Sequence, residues 1–365
     1  MAPSDYGSAP MAATPQPIPV REPNMRLLTR VVLASVLGTP ATFVLVGACY
    51  SAGTDQWLAF SAKMGDHRQI CIVKADGSGL RNLTNSPSFN DQPSWSPDGK
   101  RIAFVSDRTG NDELFIMNGD GSGVRNLTNS PAMDRDPAWS PDGSKLLFTS
   151  DRTGNAEVFV VAAEGGAPVN LTNNPDWDGP GQWCPVAPWI TFVRAMGTNQ
   201  DIFITALDGS NTRALAPHQA FDSPPIWSPD GRYIAFHSHR DGNVEVYLLN
   251  METGELRNAS SNPEWDADPT CAPNGQWLAF ASDRTGNQEV FVVPTSGGAP
   301  TNLTSHPASD RQPVWSPSGD YIAFISDRDG GNEDLFVMKA DGTDPVNVSK
   351  TPGEERNAAW KPQGR

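Results

Sequence analysis

Short apolar runs alternate with polar, glycine-rich segments along most of the chain. In a representative stretch, Ile102–Val105 and Leu114–Met117 are separated by eight polar or small residues, and Asp-Gly pairs stand on either side, at 98–99 and 120–121. Apolar runs of this length bounded by turn residues are typical of β-strands, because glycine readily takes the positive φ that hairpin turns require. The repeating part of the sequence lacks the 3.6-residue apolar spacing of an amphipathic helix. The pattern therefore predicts short strands joined by tight turns.

One unit of 44 residues recurs along the chain. Its phenylalanine, in the second predicted strand of each unit, falls at Phe60, Phe104, Phe148, Phe192, Phe236, Phe280 and Phe324. The segment before it is Trp-Ser-Pro-Asp-Gly or a degraded copy, and its first position holds Trp95, Trp139, Trp183, Trp227, Cys271, Trp315 and Trp360. The last step is 45 residues because one glycine is inserted at 330–331. The spacing indicates seven units.

Each unit divides into four strands. In the second copy we predict them over Pro93–Ser96, Arg101–Ser106, Glu113–Asn118 and Val124–Leu127. Four short strands in a repeat of about 40–45 residues is the pattern of a β-propeller blade. We therefore predict an all-β fold, a seven-bladed β-propeller with four-stranded antiparallel blades, over residues 56–365.

The two ends of the repeating region each carry part of one blade. The first unit begins at Gln56-Trp57, in what would be a second strand, and the missing first strand appears at Asn357–Trp360. We predict that this C-terminal strand joins the N-terminal blade and closes the ring. Closure hides both sheet edges, which would otherwise template aggregation.

The repeated motif residues have predicted structural roles. The tryptophan is expected to pack between adjacent blades. The Ser-Asp-Arg triplet, as at 106–108 and 150–152, lies at the turn after the second strand. We predict that its arginine pairs with a nearby carboxylate such as Glu113 or Glu157.

The first 55 residues differ from the repeats. Residues 1–24 are rich in Pro, Ala and Ser, which predicts a disordered tail, or else a true start at Met25. Within 25–49, Arg26 and Arg30 precede an uncharged stretch that ends Leu-Val-Gly-Ala-Cys, as in a signal peptide. The ending resembles a lipobox, which would make Cys49 the lipidated residue. An uncleaved membrane anchor and simple cleavage with release are the alternatives, and residues 50–55 would be a linker.

The repeats resemble the TolB-like propeller repeats, bacterial relatives of the WD-type blade. The matching text in the second copy is Pro-x-Trp-Ser-Pro-Asp-Gly-x-x-Ile-Ala-Phe at 93–104, then Ser-Asp-Arg, Glu-Leu-Phe-x-Met at 113–117 and Asn-Leu-Thr at 126–128. The resemblance covers residues 56–365. It implies the propeller, an extracytoplasmic location and binding to proteins. The seven units depart from the six blades of TolB itself.

The formal charge of the chain limits the classes of partner that it can bind. Residues 1–48 carry three arginines against Asp5 and Glu22, so the formal charge of −15 becomes −16 on the remainder. Such a surface repels the phosphates of nucleic acids and anionic lipid headgroups, and it suits a basic partner. The sequence has no Gly-x-Ser-x-Gly elbow, no P-loop and no zinc-helix motif. We therefore predict no catalytic residues and no nucleic-acid partner.

One polar residue lies five positions before each motif position. The seven residues are Asn90, Asp134, Asp178, Asp222, Asp266, Asp310 and Glu355. Lying just before the innermost strand of each blade, they are predicted to form a ring near one mouth of the central channel. Two roles are open: local hydrogen bonding at the strand entry, or an electronegative funnel for a basic peptide or a cation such as calcium. No other cofactor is expected.

Two histidines interrupt the fifth unit, at His237 and His239. Alternating histidines bind metal if a third ligand converges on them, but they are also ordinary surface residues at a strand end, and we predict no metal site there. The sequence thus favours a monomeric, non-enzymatic binding scaffold, exported to the periplasm or cell surface and held at the membrane by its N-terminal lipid or anchor. Its partner would be a protein or another envelope component. The alternatives are a metal-dependent propeller lyase or lactonase acting on a saccharide or small ester, as in some propellers of related repeat type, and the sensor part of a larger system.

Overall fold

The structure is a computed structural model that describes residues 56–363. The predictions for the tail, the signal segment, Cys49 and the linker therefore lie outside the described residues. Within the described range the chain forms twenty-eight strands in seven four-stranded antiparallel sheets. None of these residues belongs to a helix long and apolar enough to cross a membrane.

The strands follow one another in a repeating order. Blade one contains β1 (Trp57–Met64), β2 (His67–Lys74) and β3 (Arg81–Asn82). Blades two and three are β4 (Asn90–Trp95), β5 (Arg101–Ser106), β6 (Glu113–Asn118), β7 (Arg125–Asn126), and β8 (Asp134–Trp139), β9 (Lys145–Ser150), β10 (Glu157–Ala162), β11 (Val169–Asn170). Blades four and five are β12 (Trp177–Trp183), β13 (Trp189–Met196), β14 (Asn199–Ala206), β15 (Arg213–Ala214), and β16 (Ile226–Trp227), β17 (Tyr233–Ser238), β18 (Glu245–Asn250), β19 (Leu256–Asn258). Blades six and seven are β20 (Asp266–Cys271), β21 (Trp277–Ser282), β22 (Glu289–Pro294), β23 (Thr301–Asn302), and β24 (Asp310–Trp315), β25 (Tyr321–Ser326), β26 (Asp334–Lys339), β27 (Val346–Asn347), before β28 (Glu355–Trp360).

The last strand closes the ring. Strand β28 pairs antiparallel with β1, with Trp360 opposite Leu58 and Glu355 opposite Ala62, so blade one has the order β28-β1-β2-β3. Each inner strand also contacts the inner strand of the next blade all the way round, including β24 with β28 and β28 with β4. The predicted seven-bladed, C-terminally closed propeller is confirmed.

The inner strand differs from its predicted bounds for a physical reason. In the second copy the two middle strands match residue for residue, but the inner strand starts at Asn90, three residues before the predicted Pro93. Gln92 takes a φ of 53°, and the register shifts between Asp91 and Ser94. This β-bulge lets the chain resume pairing upstream of the proline.

The core lies between blades as well as within them. The seven repeated phenylalanines are fully buried, and six of them pack on an aromatic ring of the third strand, as Phe104 does on Phe115 at 5.8 Å. Phe60 lies opposite Cys71 instead. The motif tryptophan packs across the blade boundary, as predicted: Trp139 clusters with Ala103 and Leu114 of blade two. Its indole nitrogen also donates to the main-chain oxygen of Ser94 at 3.0 Å. Each blade is therefore held by its predecessor.

Candidate functional site

All seven predicted ring residues begin, or nearly begin, the inner strand of a blade. Each side chain is no more than 1% exposed. Most open their strand directly, Asp178 is second in β12, and Asp222 forms a single bridge to Ser238 ahead of β16. The residues therefore share one end of the inner strands, which we call the entry face, but their carboxylates are turned into the blades.

Arginines neutralise five of these carboxylates. The Nη2 of Arg152 donates to both oxygens of Asp134 at 2.9 Å, and its guanidinium lies over the Phe148 and Phe159 rings. The same pairing joins Arg194 to Asp178, Arg240 to Asp222, Arg284 to Asp266 and Arg328 to Asp310. In blade two the arginine donates to the Asn90 side-chain oxygen instead. The geometry therefore shows local hydrogen bonding for this ring.

The prediction that the arginine of Ser-Asp-Arg pairs with Glu113 or Glu157 is wrong. Glu157 Oε1 accepts from the Asn174 main-chain nitrogen at 2.6 Å, and its Oε2 accepts from Thr153 at 2.8 Å. The glutamate is thus occupied by the loop that leads into the next blade. The arginine folds back over the phenylalanine pair, and there it meets the start of the inner strand.

The ring carboxyl groups are held in a low-dielectric setting. Burial raises the pKa of Asp222 and Asp266, although hydrogen bonds from Ser238 and Ser282 and from the paired arginines act in the opposite direction. Glu355 in blade one is the exception, since no guanidinium of the described part of the chain donates to it. Burial is also the main cause that raises its pKa, and the neighbouring Asp334 carboxyl adds to the rise.

Sequence reasoning missed an apolar feature of the entry face. In blades two to six, the residue just before the ring residue is a large apolar side chain, and these five residues are Phe89, Met133, Trp177, Phe221 and Trp265. We call them the apolar arc. Met133, Trp177 and Phe221 are 46%, 41% and 44% exposed, and the other two are partly exposed. The available signal was an apolar residue recurring at one polar-flanked position in consecutive repeats.

The aspartate of Ser-Asp-Arg fixes the backbone of this arc. Asp107 Oδ1 accepts from the main-chain nitrogen of Phe89 at 2.8 Å, and Asp151 does the same for Met133 at 2.9 Å. In blade five His239 replaces the aspartate, and its ring meets that of Phe221 edge-on at 6.0 Å. Asp283 Oδ1 accepts from the main-chain nitrogen of Trp265 at 2.8 Å, so the aspartate fixes the backbone at three of the five arc residues.

Side chains at the β-bulges link the inner strands across blades. Gln92 Nε2 donates to Asp136 Oδ1 at 2.7 Å, and the Asp136 main-chain nitrogen donates to Gln92 Oε1 at 2.9 Å. Asp91 similarly accepts from Asn357 at 2.8 Å and pairs with Arg356. These bonds hold blades one to three in register beside the channel.

The opposite end of the inner strands carries a groove. It has a volume of about 640 Å³ and is lined by the motif turns of blades two to four, with Pro97, Pro141 and Pro185 and the carboxylates of Asp98 and Asp142. A hydrogen bond from Ser140, supported by Ser144, lowers the pKa of Asp142 to about 2. This mouth therefore stays negatively charged well below neutral pH.

The two histidines of blade five do not form a metal centre. Among residues 56–363, no group of three or more His, Cys, Asp or Glu side chains is arranged to hold a metal ion. His237 is largely buried and its Nδ1 has no hydrogen-bond partner. Burial, followed by the charge of His239, lowers the pKa of His237 to about 4.

Replacing His237 with valine is expected to remove an acid-dependent loss of stability. The unfolded chain takes up the imidazole proton near pH 6.5, whereas the folded chain resists it down to about pH 4. The wild type thus loses about 1–3 kcal/mol as the pH falls through that window. Valine stands at the equivalent positions 105 and 193. Urea unfolding at pH 8 and pH 4.5 measures the change.

The exposed His67→Gln serves as the matched control. Its free energy of unfolding relative to the wild type is expected to be the same at both pH values. The difference in free energy of unfolding between His237→Val and the wild type is expected to increase from pH 8 to pH 4.5. If it did not, the His237 imidazole would not be the group that takes up the proton.

Comparisons with known proteins agree with this architecture. The family model of the TolB β-propeller domain matches residues 45–125, 108–224 and 190–365. The Tol-Pal system protein TolB of Bordetella pertussis is 49% identical over 43 residues, which are 12% of this chain and 10% of that protein. The match thus spans about a tenth of the length of the curated relatives.

Two solved structures share the fold. TolB from Acinetobacter baumannii has a TM-score of 0.57 at 21% identity, over 84% of this chain and 83% of that chain. Oligogalacturonate lyase from Vibrio parahaemolyticus has a TM-score of 0.62 at 16% identity, over 77% and 85%. At these identities the likeness concerns the fold alone.

Proposed function

This chain belongs to the TolB β-propeller domain family, and from that premise we propose that it is a non-enzymatic binding scaffold for a protein partner outside the cytoplasm. The partner docks on the entry face. The export segment predicted at 25–49 directs the propeller across the membrane. A lipid on Cys49 or an uncleaved anchor then holds it at the membrane, where it acts as a monomer. Mass spectrometry of the mature N-terminus measures which of the two is used.

The apolar arc carries this proposal. Contiguous exposed apolar surface rimmed by polar groups is typical of protein interaction sites, and large aromatic anchors dominate binding energies. Here the aromatic and methionine side chains come from five consecutive blades, so they follow the ring rather than scatter over the surface. Hydrogen bonds to Asp107, Asp151 and Asp283 fix the backbone at three of these five positions, which lowers the entropic cost of binding.

Charge suggests the chemistry of the partner. The chain from residue 49 onward carries a formal charge of −16. A partner that presents basic residues around an apolar contact complements this surface and is steered to it. Exposed carboxylates such as Glu354 lie beside the arc, directly before the blade-one ring residue.

Substituting the three most exposed arc residues is expected to reduce partner capture by at least about tenfold, since each buried anchor contributes more than 1 kcal/mol. The variant is Met133→Ser, Trp177→Ser, Phe221→Ser in the full chain, purified in detergent. The assay is quantitative capture from an envelope extract of the organism that makes the protein.

The matched control replaces three other exposed apolar residues, Val124, Val169 and Val346, with serine. They are 39%, 57% and 43% exposed but lie at the outer strands, away from the arc. Capture retained by the control and lost by the arc variant supports the proposal. Equal capture by both variants contradicts it, as does turnover of an oligogalacturonate or a lactone by the purified protein with a divalent metal.

A further inference from the structure

Blade one lacks the cation that its counterparts place against the inner-strand carboxylate. Ala62-Lys63-Met64 stands where most blades have Ser-Asp-Arg, and Ala62 is directly opposite Glu355. Lys63 is exposed. The nearby Arg68 donates to Glu354, at 3.2 Å to its carboxylate. Glu355 is 1% exposed, and within residues 56–363 no guanidinium or ammonium group donates a hydrogen bond to it.

A second buried carboxylate lies beside it. Asp334 opens β26 of blade seven and is 6% exposed. Its Oδ2 accepts from Asn347 at 2.7 Å, but its Oδ1 has no hydrogen-bond partner. The equivalent position of blade three holds Glu157, whose two oxygens both reach donors. The Glu355 main-chain nitrogen donates to the main-chain oxygen of Glu333 at 2.8 Å, which brings the neighbouring Asp334 next to Glu355. The Asp334 carboxyl accordingly contributes to the raised pKa of Glu355.

Two hydroxyl groups donate hydrogen bonds to the Glu355 carboxyl. Ser349 Oγ lies 2.9 Å from Glu355 Oε2, and Thr351 Oγ1 contacts Oε1. The charge of Arg68 acts on Glu355 but is shared with Asp91 and Glu354. Burying two carboxylates without a cation bonded to them is costly. Carboxylate and hydroxyl oxygens are the ligands that suit a hard cation such as Ca²⁺. The site therefore has both the charge and the donor atoms for such an ion.

We propose that Asp334 and Glu355 bind one Ca²⁺ ion between blade seven and the closing strand β28. The ligands are Asp334 Oδ1 and the Glu355 carboxylate, with the Ser349 and Thr351 hydroxyls and water completing the shell. The ion takes the place that an arginine occupies in the six other blades. It joins β26 to β28, so it strengthens the closure of the ring, and it does so independently of partner binding at the apolar arc.

Calcium is expected to raise the unfolding temperature of the full chain by about 3 °C or more over the value in EDTA, because a ligand that binds only the folded state stabilises it. The probe is CaCl2 at about 10 mM, above the dissociation constants of about 10⁻⁴–10⁻³ M known for extracellular calcium modules. Isothermal titration calorimetry is expected to give one ion per chain.

Two variants locate the ion. Asp334→Asn is expected to lose the calcium-dependent shift, while Asp320→Asn, an exposed carboxylate of the same blade, keeps it. The triple variant Ala62→Ser, Lys63→Asp, Met64→Arg supplies the missing guanidinium, and it is expected to fold and to show no calcium response.

Three results would overturn the proposal. One is a wild-type unfolding temperature that is the same in EDTA and calcium, which would mean that a shared proton holds the two carboxyl groups together. The second is an unchanged calcium response in Asp334→Asn, which would place the ion elsewhere. The third is an undiminished calcium response in the folded arginine variant.

Discussion

A chain ended after Gly353 is expected to lose its cooperative folded state. The truncation removes β28, the inner strand of blade one, and with it Trp360 from the cluster that contains Leu58 and Phe60. Loss of a buried tryptophan alone costs about 3–5 kcal/mol, a large part of a total stability of about 5–15 kcal/mol. Strand β1 would become an exposed edge able to pair with other chains.

Circular dichroism melting and size-exclusion chromatography measure this outcome. The expected result is a broad or absent thermal transition and elution as aggregates. A chain ended after Gln363 is the control, and it is expected to melt like the wild type. A truncated chain that remained monomeric with an unchanged transition would show that β28 does not close the ring.

Arg284→Met is expected to destabilise the propeller by about 3–5 kcal/mol, because it leaves a buried carboxylate without its cation. Arg284 donates to both oxygens of Asp266 at 2.9 and 3.1 Å, and Asp266 is fully buried. Methionine keeps much of the side-chain packing over the Phe280 and Phe291 rings. The measured loss therefore reports mainly the charge, in urea unfolding at pH 7.

The matched control is a pair whose arginine is exposed. Arg135, whose side chain is 51% exposed, pairs with Asp112 at 2.5 Å, and Arg135→Met is expected to cost less than about 1 kcal/mol. Adding Asp266→Asn to Arg284→Met is expected to restore part of the stability, since the unpaired charge is then removed. Equal losses at the buried and exposed arginines would mean that the inner-strand pairs are not what holds the blades.

The fold was predictable from the sequence because its signals are local and repeated. The 44-residue spacing of residues such as Phe104 and Phe148 indicates one blade per unit, and Asp-Gly pairs such as 98–99 mark the hairpins. The missing first strand at Trp57 and the surplus strand at Trp360 then predict how the ring closes. None of these inferences requires a contact to be known in advance.

The contacts of the ring residues were less predictable from the sequence, because they depend on the direction in which the arginine side chain of each blade points. Arg152 lies five residues from Glu157 and eighteen from Asp134, and sequence distance favoured the wrong one. The Phe148 and Phe159 rings guide the guanidinium away from the nearer carboxylate. The position of Met133 likewise depends on a main-chain bond to Asp151, eighteen residues away, which its hydrophobicity does not predict.

The sequence by itself determined the number of blades, the order of strands and the closure of the ring, because the repeat period and the turn residues are visible in the sequence. Only the tertiary structure decided which carboxylates are paired with an arginine and which apolar side chains remain on the surface. It also decided that Asp334 and Glu355 lie together without such an arginine. The physical reason is that these outcomes are set by contacts across blade boundaries. There, the curvature of the ring brings together residues that the repeat keeps apart.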